Sequence, residues 1–587
     1  MVKQVFLRSL SVLVLSSAVA MLGVLVDGII IGQFLPGTAL AAYGIAIPAT
    51  VLVVGVANVI SSGASSFCGR CLGRGDPEGA DRYFSAAFYD GGILGFVLAA
   101  ALLAIMGPFC AFLGAPTASG ELHNATREFL IGYLPAVPAI IVVQLLSALT
   151  YLENARRLAF ISAAVGTAVN IGGDLLNVYA FHGGLGGMAL ATSVSYWAML
   201  GILLPHFFGR DHLLNLRRSS VAWAEFRDLW LIGLPSADIQ VCSMLRSIVL
   251  NHLLLALAAE AAVAAFSIRM SMYNLYGSFV LGFGMATLIL VSFYSGEEHT
   301  SAMEEVLRVA CKYGLVTMAV LCLIVSALAP ALVALYTADP VTADMAVMSV
   351  RLFALSLPLF VLNSIMAKYY QAMHQSTLSH IITILQNLVY ICLLAFVMGR
   401  VLSVNGVWLS FLVTEFLVFL TILLVAWGRQ GHWPHSLADL MLLPPGFGVA
   451  PEDQLMLQCR TRADASEAAA RVADFLREHG ATKQVELRLS LCIEEILLNF
   501  VGHGVVDAAK ESAAVRVMAK PGEWVVCLRD NARPFDPKRW LELHGTARAK
   551  DDAGELGLRL VFQAADDITY TRVLDMNQIK ISMPRET

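Results

Sequence analysis

The 587-residue chain is 58% hydrophobic and 14% charged, with a formal net charge of -5, against roughly 45–50% apolar and 25% charged in soluble globular domains. That composition excludes a wholly soluble chain, and so weak a charge excludes the basic balance of a nucleic-acid binder. Of the 83 charged residues, 41 follow position 450, so a membrane-embedded part precedes a water-soluble one.

Twelve apolar runs follow one another in the first part. They lie near residues 9–31, 43–67, 84–106, 129–150, 160–179 and 185–208, then 229–257, 263–293, 309–329, 352–370, 381–398 and 407–427. Each is long enough to cross a bilayer as helix, which takes about 20 residues, and helices satisfy their own backbone polar groups in lipid. The first run follows Lys3 and Arg8 but continues past Ala18-Val19-Ala20 to Ile31, too long for a signal-peptide core. It is read as a retained span. An even number of spans puts both termini on one side. Arg70, Arg74 and Arg82, Arg156 and Arg157, and Arg210, Arg217, Arg218 and Arg227 fall in alternate loops. By the positive-inside bias those loops, both termini and the soluble tail are expected in the cytoplasm, with the spans in a plasma (inner) membrane.

The runs also repeat. Ala41-Ala42-Tyr43-Gly44-Ile45 aligns with Ala264-Ala265-Phe266-Ser267-Ile268, an offset of 223, and the interval Pro138 to Asn154 equals Pro358 to His374. Two six-helix halves of parallel topology are typical of secondary transporters. The expected organisation is a first lobe at 1–215, a second at 216–435, a linker at 436–451 and a tail at 452–587.

Ionisable groups within spans are expensive and suggest function. Asp27 lies deep in the first run. Asp174 lies mid-run in the fifth, four residues after Asn170 and so on the same helix face. A carboxyl group in a low-dielectric interior can exchange protons near neutrality, pair with Na⁺ or hold a cationic substrate; the alternative is a structural role near a helix end or against a neighbour. Asp238, Gln240 and Arg246 of the seventh run either line a cavity or include an Asp–Arg ion pair at spacing eight. Cys68-Gly-Arg-Cys71 lacks a second ligand pair and reads as small core residues before it reads as zinc or redox chemistry.

Val26-Asp27-Gly28-Ile29-Ile30-Ile31-Gly32, Leu72-Gly73-Arg74-Gly75-Asp76, Asn170-Ile171-Gly172-Gly173-Asp174 and Gly186-Gly187-Met188-Ala189-Leu190-Ala191-Thr192 resemble the MATE multidrug and toxin extrusion transporters over about residues 5–430. The resemblance implies an all-α polytopic membrane protein with two six-helix lobes flanking a V-shaped cavity, exporting small organic, often cationic, compounds against H⁺ or Na⁺. By it, Asp27, Asn170, Asp174 and Thr192 match the first-lobe polar cluster implicated in cation coupling. The second half departs, since Leu250 stands opposite Asp27, so coupling is expected in the first lobe.

Leu443-Pro444-Pro445-Gly446-Phe447-Gly448 reads as a turn-rich linker. Beyond it the pattern predicts strand 455–460, helices 465–478 and 483–501, strands 515–519 and 524–528, a helix near 556–565 and strands 568–572 and 578–582: a C-terminal α/β sandwich. Glu495, Asn499 and His503 are four apart and form one polar stripe, either a solvated face or a carboxylate able to act as a base beside an amide oxygen suited to Mg²⁺. Asp530 ends a strand before Asn531-Ala532-Arg533-Pro534-Phe535-Asp536-Pro537, and Gly554-Glu555-Leu556-Gly557 leads into a helix N-terminus, a natural phosphate site.

These strings resemble the GHKL (Bergerat-type) ATPase domain of anti-sigma-factor serine kinases. By that resemblance Glu495 is the catalytic base, Asn499 the Mg²⁺ ligand and Asp530 the adenine acceptor. His503 and Asp536 also belong to the nucleotide site, Gly557 helps form the phosphate lid, and the cofactors are ATP and Mg²⁺. Ala532 and Glu555 replace family glycines, and both substitutions work against ATP binding. The expected partners are the lipid bilayer, a small organic substrate and an anti-anti-sigma (STAS-type) protein, with no nucleic acid. The main reading is a cation-coupled transporter regulated by its tail. The rival is a signalling protein whose transporter-like part senses and whose tail is a serine kinase.

Overall fold

The computed structural model describes residues 2–501, 512–537, 559, 561–563 and 567–585, apart from 36, 114, 116–119, 209–212, 218–222 and 338. His503, Glu555, Gly557, Arg210, Arg218 and most of the helix expected near 556–565 lie outside the described residues.

The first lobe contains α1 (Val2–Phe34), α2 (Gly37–Arg74), α3 (Pro77–Ala104), α4 (Met106–Leu113), α5 (Glu121–Tyr133), α6 (Ala136–Leu149), α7 (Arg156–Leu176) and α8 (Gly184–Phe207). The expected fourth span is α5 and α6 together, bent by 48°. Pro135 and Pro138 fall at the bend, where a ring in place of an N–H interrupts the helical ladder.

The second lobe contains α9 (Trp223–Gly233), α10 (Pro235–Gly296), α11 (Thr300–Ala334), α12 (Pro340–Ala372), α13 (Ser376–Ile384) and α14 (Tyr390–Gln430). Helix α10 supplies two spans, Pro235–Leu257 and Tyr276–Gly296. A straight helix would place Arg246 and Arg269 about 35 Å apart, yet both line one cavity, so the chain folds back between them. The 55-residue stretch Ser376–Gln430 likewise exceeds two bilayer cores of about 30 Å each. It breaks at Ser403, whose backbone is non-helical at φ 55 and ψ -140. With these breaks the apolar helices among the described residues resolve into about twelve spans, in line with the number expected.

Large apolar side chains such as Phe96, Val97, Leu323 and Leu328 are more than half or about half exposed, while polar groups such as Asp174, Asn363 and Glu415 are buried. Apolar outside and polar within is the polarity of a bundle solvated by lipid. The repeat is visible in the backbone. Gly75 and Glu298, 223 positions apart, both turn with positive φ (75 and 54), as do Asn154 and His374, 220 apart (60 and 58).

The lobes close on each other at the face carrying these turns. Ser62, Ser66 and Arg70 recur every four residues along α2 and meet Ser236 (2.9 Å), Ser292 (3.4 Å) and His374 (3.0 Å) of the second lobe. Gly73 makes the closest approach possible, because a Cβ there would run into the Phe293 carbonyl.

Residues 436–451 are tied down. Ser436 and Asp439 cap the short α15 (Leu437–Leu440) reciprocally, and Tyr370 and Tyr369 donate to the carbonyls of Leu440 (2.8 Å) and Met441 (3.0 Å). The tail follows as β1 (Gln454–Cys459), α16 (Arg462–Glu478), α17 (Lys483–Asn499), β2 (Ala513–Lys520), β3 (Glu523–Asp530), β4 (Asp567–Val573) and β5 (Met576–Pro584). The sheet is antiparallel in the order β1-β2-β3-β5-β4, with Asp530 opposite Asn577. Strand alternation turns Val515, Val517, Val526, Leu528, Ile579 and Ile581 towards α16 and α17. The other face presents Arg516, Lys520, Arg529, Gln578 and Lys580 to the membrane domain.

That face grips both lobes. Arg516 donates to the carbonyls of Glu297 (3.0 Å) and Glu298 (3.1 Å), Lys520 pairs with Glu298 (2.7 Å), and Arg529 pairs with Glu297. On the first lobe Lys580 donates to the Arg74 carbonyl (2.8 Å). Asn154 donates to the Arg572 carbonyl (2.6 Å) and accepts from the Asp575 N–H, and Arg156 pairs with Asp575.

Candidate functional site

In the first lobe α1 and α7 bring Asp27 and Asp174 together, their carboxyl groups within hydrogen-bonding reach of each other. Beyond that contact both oxygens of Asp174 and one of Asp27 are buried without a donor among the described residues. Asp174 is buried and Asp27 half-buried, and two carboxyl groups this close disfavour simultaneous ionisation. One turn before Asp174, Asn170 donates to the Thr192 hydroxyl (3.4 Å), which donates to the Met188 carbonyl (3.3 Å).

The second lobe pairs its charges differently from the spacing-eight alternative. Asp238 bonds His380, whereas Arg246 donates to Asn387 (3.4 Å) and Ser243 (2.9 Å). His380 lies on another helix, which is why sequence spacing did not reveal it.

In the tail, Glu495 and Asn499 share one face of α17, and the Asn499 amide nitrogen is buried with no partner among the described residues. Asp530 accepts from the Ala532 N–H (3.0 Å) and the Asn577 amide (2.7 Å). The Asn577 oxygen in turn accepts from Tyr570 (2.9 Å) and Arg572 (3.1 Å). Ala532 is buried in the apolar core of the tail with Val561. Burial pushes the Tyr570 hydroxyl up to about 12, so it remains a donor at neutral pH. Asp536 is half-buried, with the exposed Phe535 before it. The Asn499 amide beside Glu495 offers an oxygen suited to Mg²⁺ and an unpartnered nitrogen suited to donate to a phosphate oxygen, and the fixed carboxylate of Asp530 fits an acceptor for an exocyclic amine. Glu495, Asn499 and Asp530 would therefore hold ATP with Mg²⁺, which would supply a transferable phosphoryl group.

The family described as MatE matches residues 13–176 and 235–397, one stretch in each lobe and more than half of the chain together. The chain belongs to the MatE family. A second family, the histidine kinase-like ATPase domain, matches residues 460–583 of this MatE chain, the tail just described. Among curated relatives, the multidrug export protein MepA of Staphylococcus aureus (strain bovine RF122 / ET3-1) is 24% identical over 393 residues, 66% of this chain and 85% of the relative. MepA of Staphylococcus haemolyticus (strain JCSC1435) is 23% identical over 381 residues, 64% and 82%. Two solved structures share the fold at TM-score 0.68 and 23% identity, covering 73% of this chain and 96% of each. One is described as the outward-facing conformation of a multidrug resistance MATE family transporter of the MOP superfamily. The other is a MOP superfamily transporter from Pyrococcus furiosus described by a reversed polarity of its binding pocket.

This MatE-family chain is thus a multi-pass membrane protein with an ATPase-like tail. Tyr570 and Arg572 belong to the tail site although sequence reasoning gave them no role; their signal was the strand alternation that sets them beside Asn577. Two half-buried histidines are held neutral, His299 beside the docked tail and His374 in the seam between the lobes. His299 is lowered to about 3 by burial and by Arg516. His374 is lowered to about 3 by burial and then by Arg70 and Arg74.

Proposed function

We propose that this protein is an H⁺- or Na⁺-coupled exporter of small organic compounds in a plasma membrane, governed by its cytoplasmic tail. The observation that carries coupling is the Asp27–Asp174 carboxyl pair, with Asp174 buried and Asp27 half-buried, in which three of the four oxygens are buried with no protein donor among the described residues beyond the pair's own contact. Ion occupancy there changes the charge buried in the first lobe, and alternating access needs such a bistable element. The description of the relatives as multidrug export proteins supports an organic substrate. The basic loops support a cytoplasmic tail.

Regulation is supported by the tail's grip on the turns of both lobes, at Asn154 and Glu298. The lobes can part at this face only if one set of contacts breaks, so docking favours the arrangement closed here and open on the opposite side. Nucleotide and grip share strands: Asp530 neighbours Arg529, and Asn577 neighbours Gln578, which donates to Glu297 (2.8 Å).

The test is flux in proteoliposomes by the full-length protein and by a chain stopped near Leu443. Gradient-driven flux in both, faster in the truncated form, is the expected result. Absence of flux with any cation, alongside ATP-dependent phosphorylation of an anti-anti-sigma (STAS-type) partner, would replace this reading with the signalling one.

A further inference from the structure

Beyond coupling and regulation, one cavity of the second lobe sets two guanidinium groups against a single carboxyl group, Glu415. Arg269 of α10 is 1% exposed. Its guanidinium lies over the rings of Phe411 (4.0 Å), Phe266 and Phe353 (both 4.7 Å). Of its five N–H donors, one reaches the Met270 sulfur at 3.4 Å and the Nε–H has no partner. A second guanidinium, Arg246, lines the same cavity with its Nε–H also unpartnered. Neither forms an ion pair among the described residues. The nearby acid, Glu415, is engaged by amides instead, accepting from Asn363 and Gln386 at 2.8 Å each. With Glu415 ionised the cavity carries one net positive charge; with it protonated, two.

A buried charge left unpaired is costly, and each ring offsets part of that cost without accepting the N–H groups. The cavity beside the two arginines has a volume of about 20 Å³. A single water-sized occupant needs roughly 10–15 Å³ on this measure, so one small ion fits and a large organic anion does not. The Thr414 hydroxyl, also unpartnered, lines it as a further donor. We infer that the cavity between Arg246 and Arg269 binds a small monovalent anion of chloride size, which completes the charge of the second lobe as the coupling ion does that of the first.

The test uses the purified full-length protein at fixed ionic strength. Sodium chloride is titrated against sodium gluconate while the thermal midpoint is followed, and bound chloride is counted with a radiolabel by equilibrium dialysis. Chloride should raise the midpoint saturably, as a ligand of the native state does, with about one ion bound per chain; gluconate, too large for the cavity, should not. Arg269→Met should weaken chloride binding at least about tenfold. If that variant does not fold, Arg246→Gln, which changes a half-buried side chain, should produce a loss of about the same size. Equal responses to the two salts, or stoichiometric chloride binding that survives either substitution, would overturn the assignment.

Discussion

Arg529 on β3 and Glu297 in the turn after α10 form an ion pair with side-chain exposures of 10% and 0%, so tail and transporter share a charge pair from which water is nearly absent. Removing one partner of such a pair typically costs about 3–5 kcal/mol, because the other charge stays buried. Glu297→Gln should therefore loosen the tail, and proteolysis of the stretch around Pro444–Gly446 should occur at lower urea than in the native chain. Glu297→Met with Arg529→Met should recover part of the loss. Identical cleavage profiles would show that other contacts hold the tail.

Asp174 has both carboxyl oxygens buried. Asp174→Asn keeps the shape but removes the charge that a proton or Na⁺ would neutralise. Flux driven by a cation gradient should fall to the level of protein-free liposomes, while nucleotide binding by the tail is retained. Coupled flux within about twofold of the native rate would remove Asp174 from the coupling site.

Ser66 and Ser292 approach to 3.4 Å across the seam between lobes. Cysteines at both positions should cross-link under mild oxidation and hold this face shut. Transport should stop on oxidation and return on reduction, with nearly the whole rate recovered. Unimpeded flux in the cross-linked protein would mean that the seam does not open during the cycle.

The spans and the repeat were legible in the sequence, because charge is costly in lipid and apolar runs of bilayer length recur; spacing aligned Asn170 with Asp174, but the meeting of Asp27 with Asp174 was implied only by the resemblance to the MATE transporters. The docking face was not. Arg516, Arg529, Gln578 and Lys580 alternate with the apolar residues of the tail core as on any half-solvated sheet, and nothing in the alternation says that Glu297, Glu298 and Asn154 will cover them. The Asp238–His380 contact escaped for the same reason, since its members lie 142 residues apart. Arg269 lies within an apolar run and carries no spacing signal; only the folded bundle shows it facing Arg246.

The half-buried neutral histidines, His299 beside Arg516 of the tail and His374 beside Arg70 in the seam between the lobes, give stability a pH dependence with a definite sign. Each has a native value of about 3 against 6.5 when exposed. As pH falls below 6.5 the unfolded or undocked state takes up the proton first. Stability is therefore complete above about pH 7 and is lost progressively between 6.5 and 3, by up to about 1.4 kcal/mol per pH unit for each histidine. The thermal midpoint should drop between pH 7.5 and 5.5, and replacing both residues with Gln should flatten that drop. An equally steep fall in the double variant would place the titrating groups elsewhere.

Asp530 is fixed by the Ala532 N–H and the Asn577 amide, which aims its carboxylate without neutralising it. A hydrogen bond to a charged acceptor contributes about 1.5–3 kcal/mol, so Asp530→Asn should weaken ATP binding by the full-length protein roughly tenfold to a hundredfold. Asn499→Ala should instead abolish the part of the affinity that depends on Mg²⁺, leaving metal-free binding near the native level. The two variants separate base recognition from metal ligation in one fluorescence titration, run with and without Mg²⁺. Because Asp530 adjoins Arg529, saturating ATP should also change the proteolysis rate of the 443–451 stretch in the native chain and not in Asp530→Asn. A rate indifferent to ATP in the native chain would uncouple the nucleotide site from the grip on Glu297.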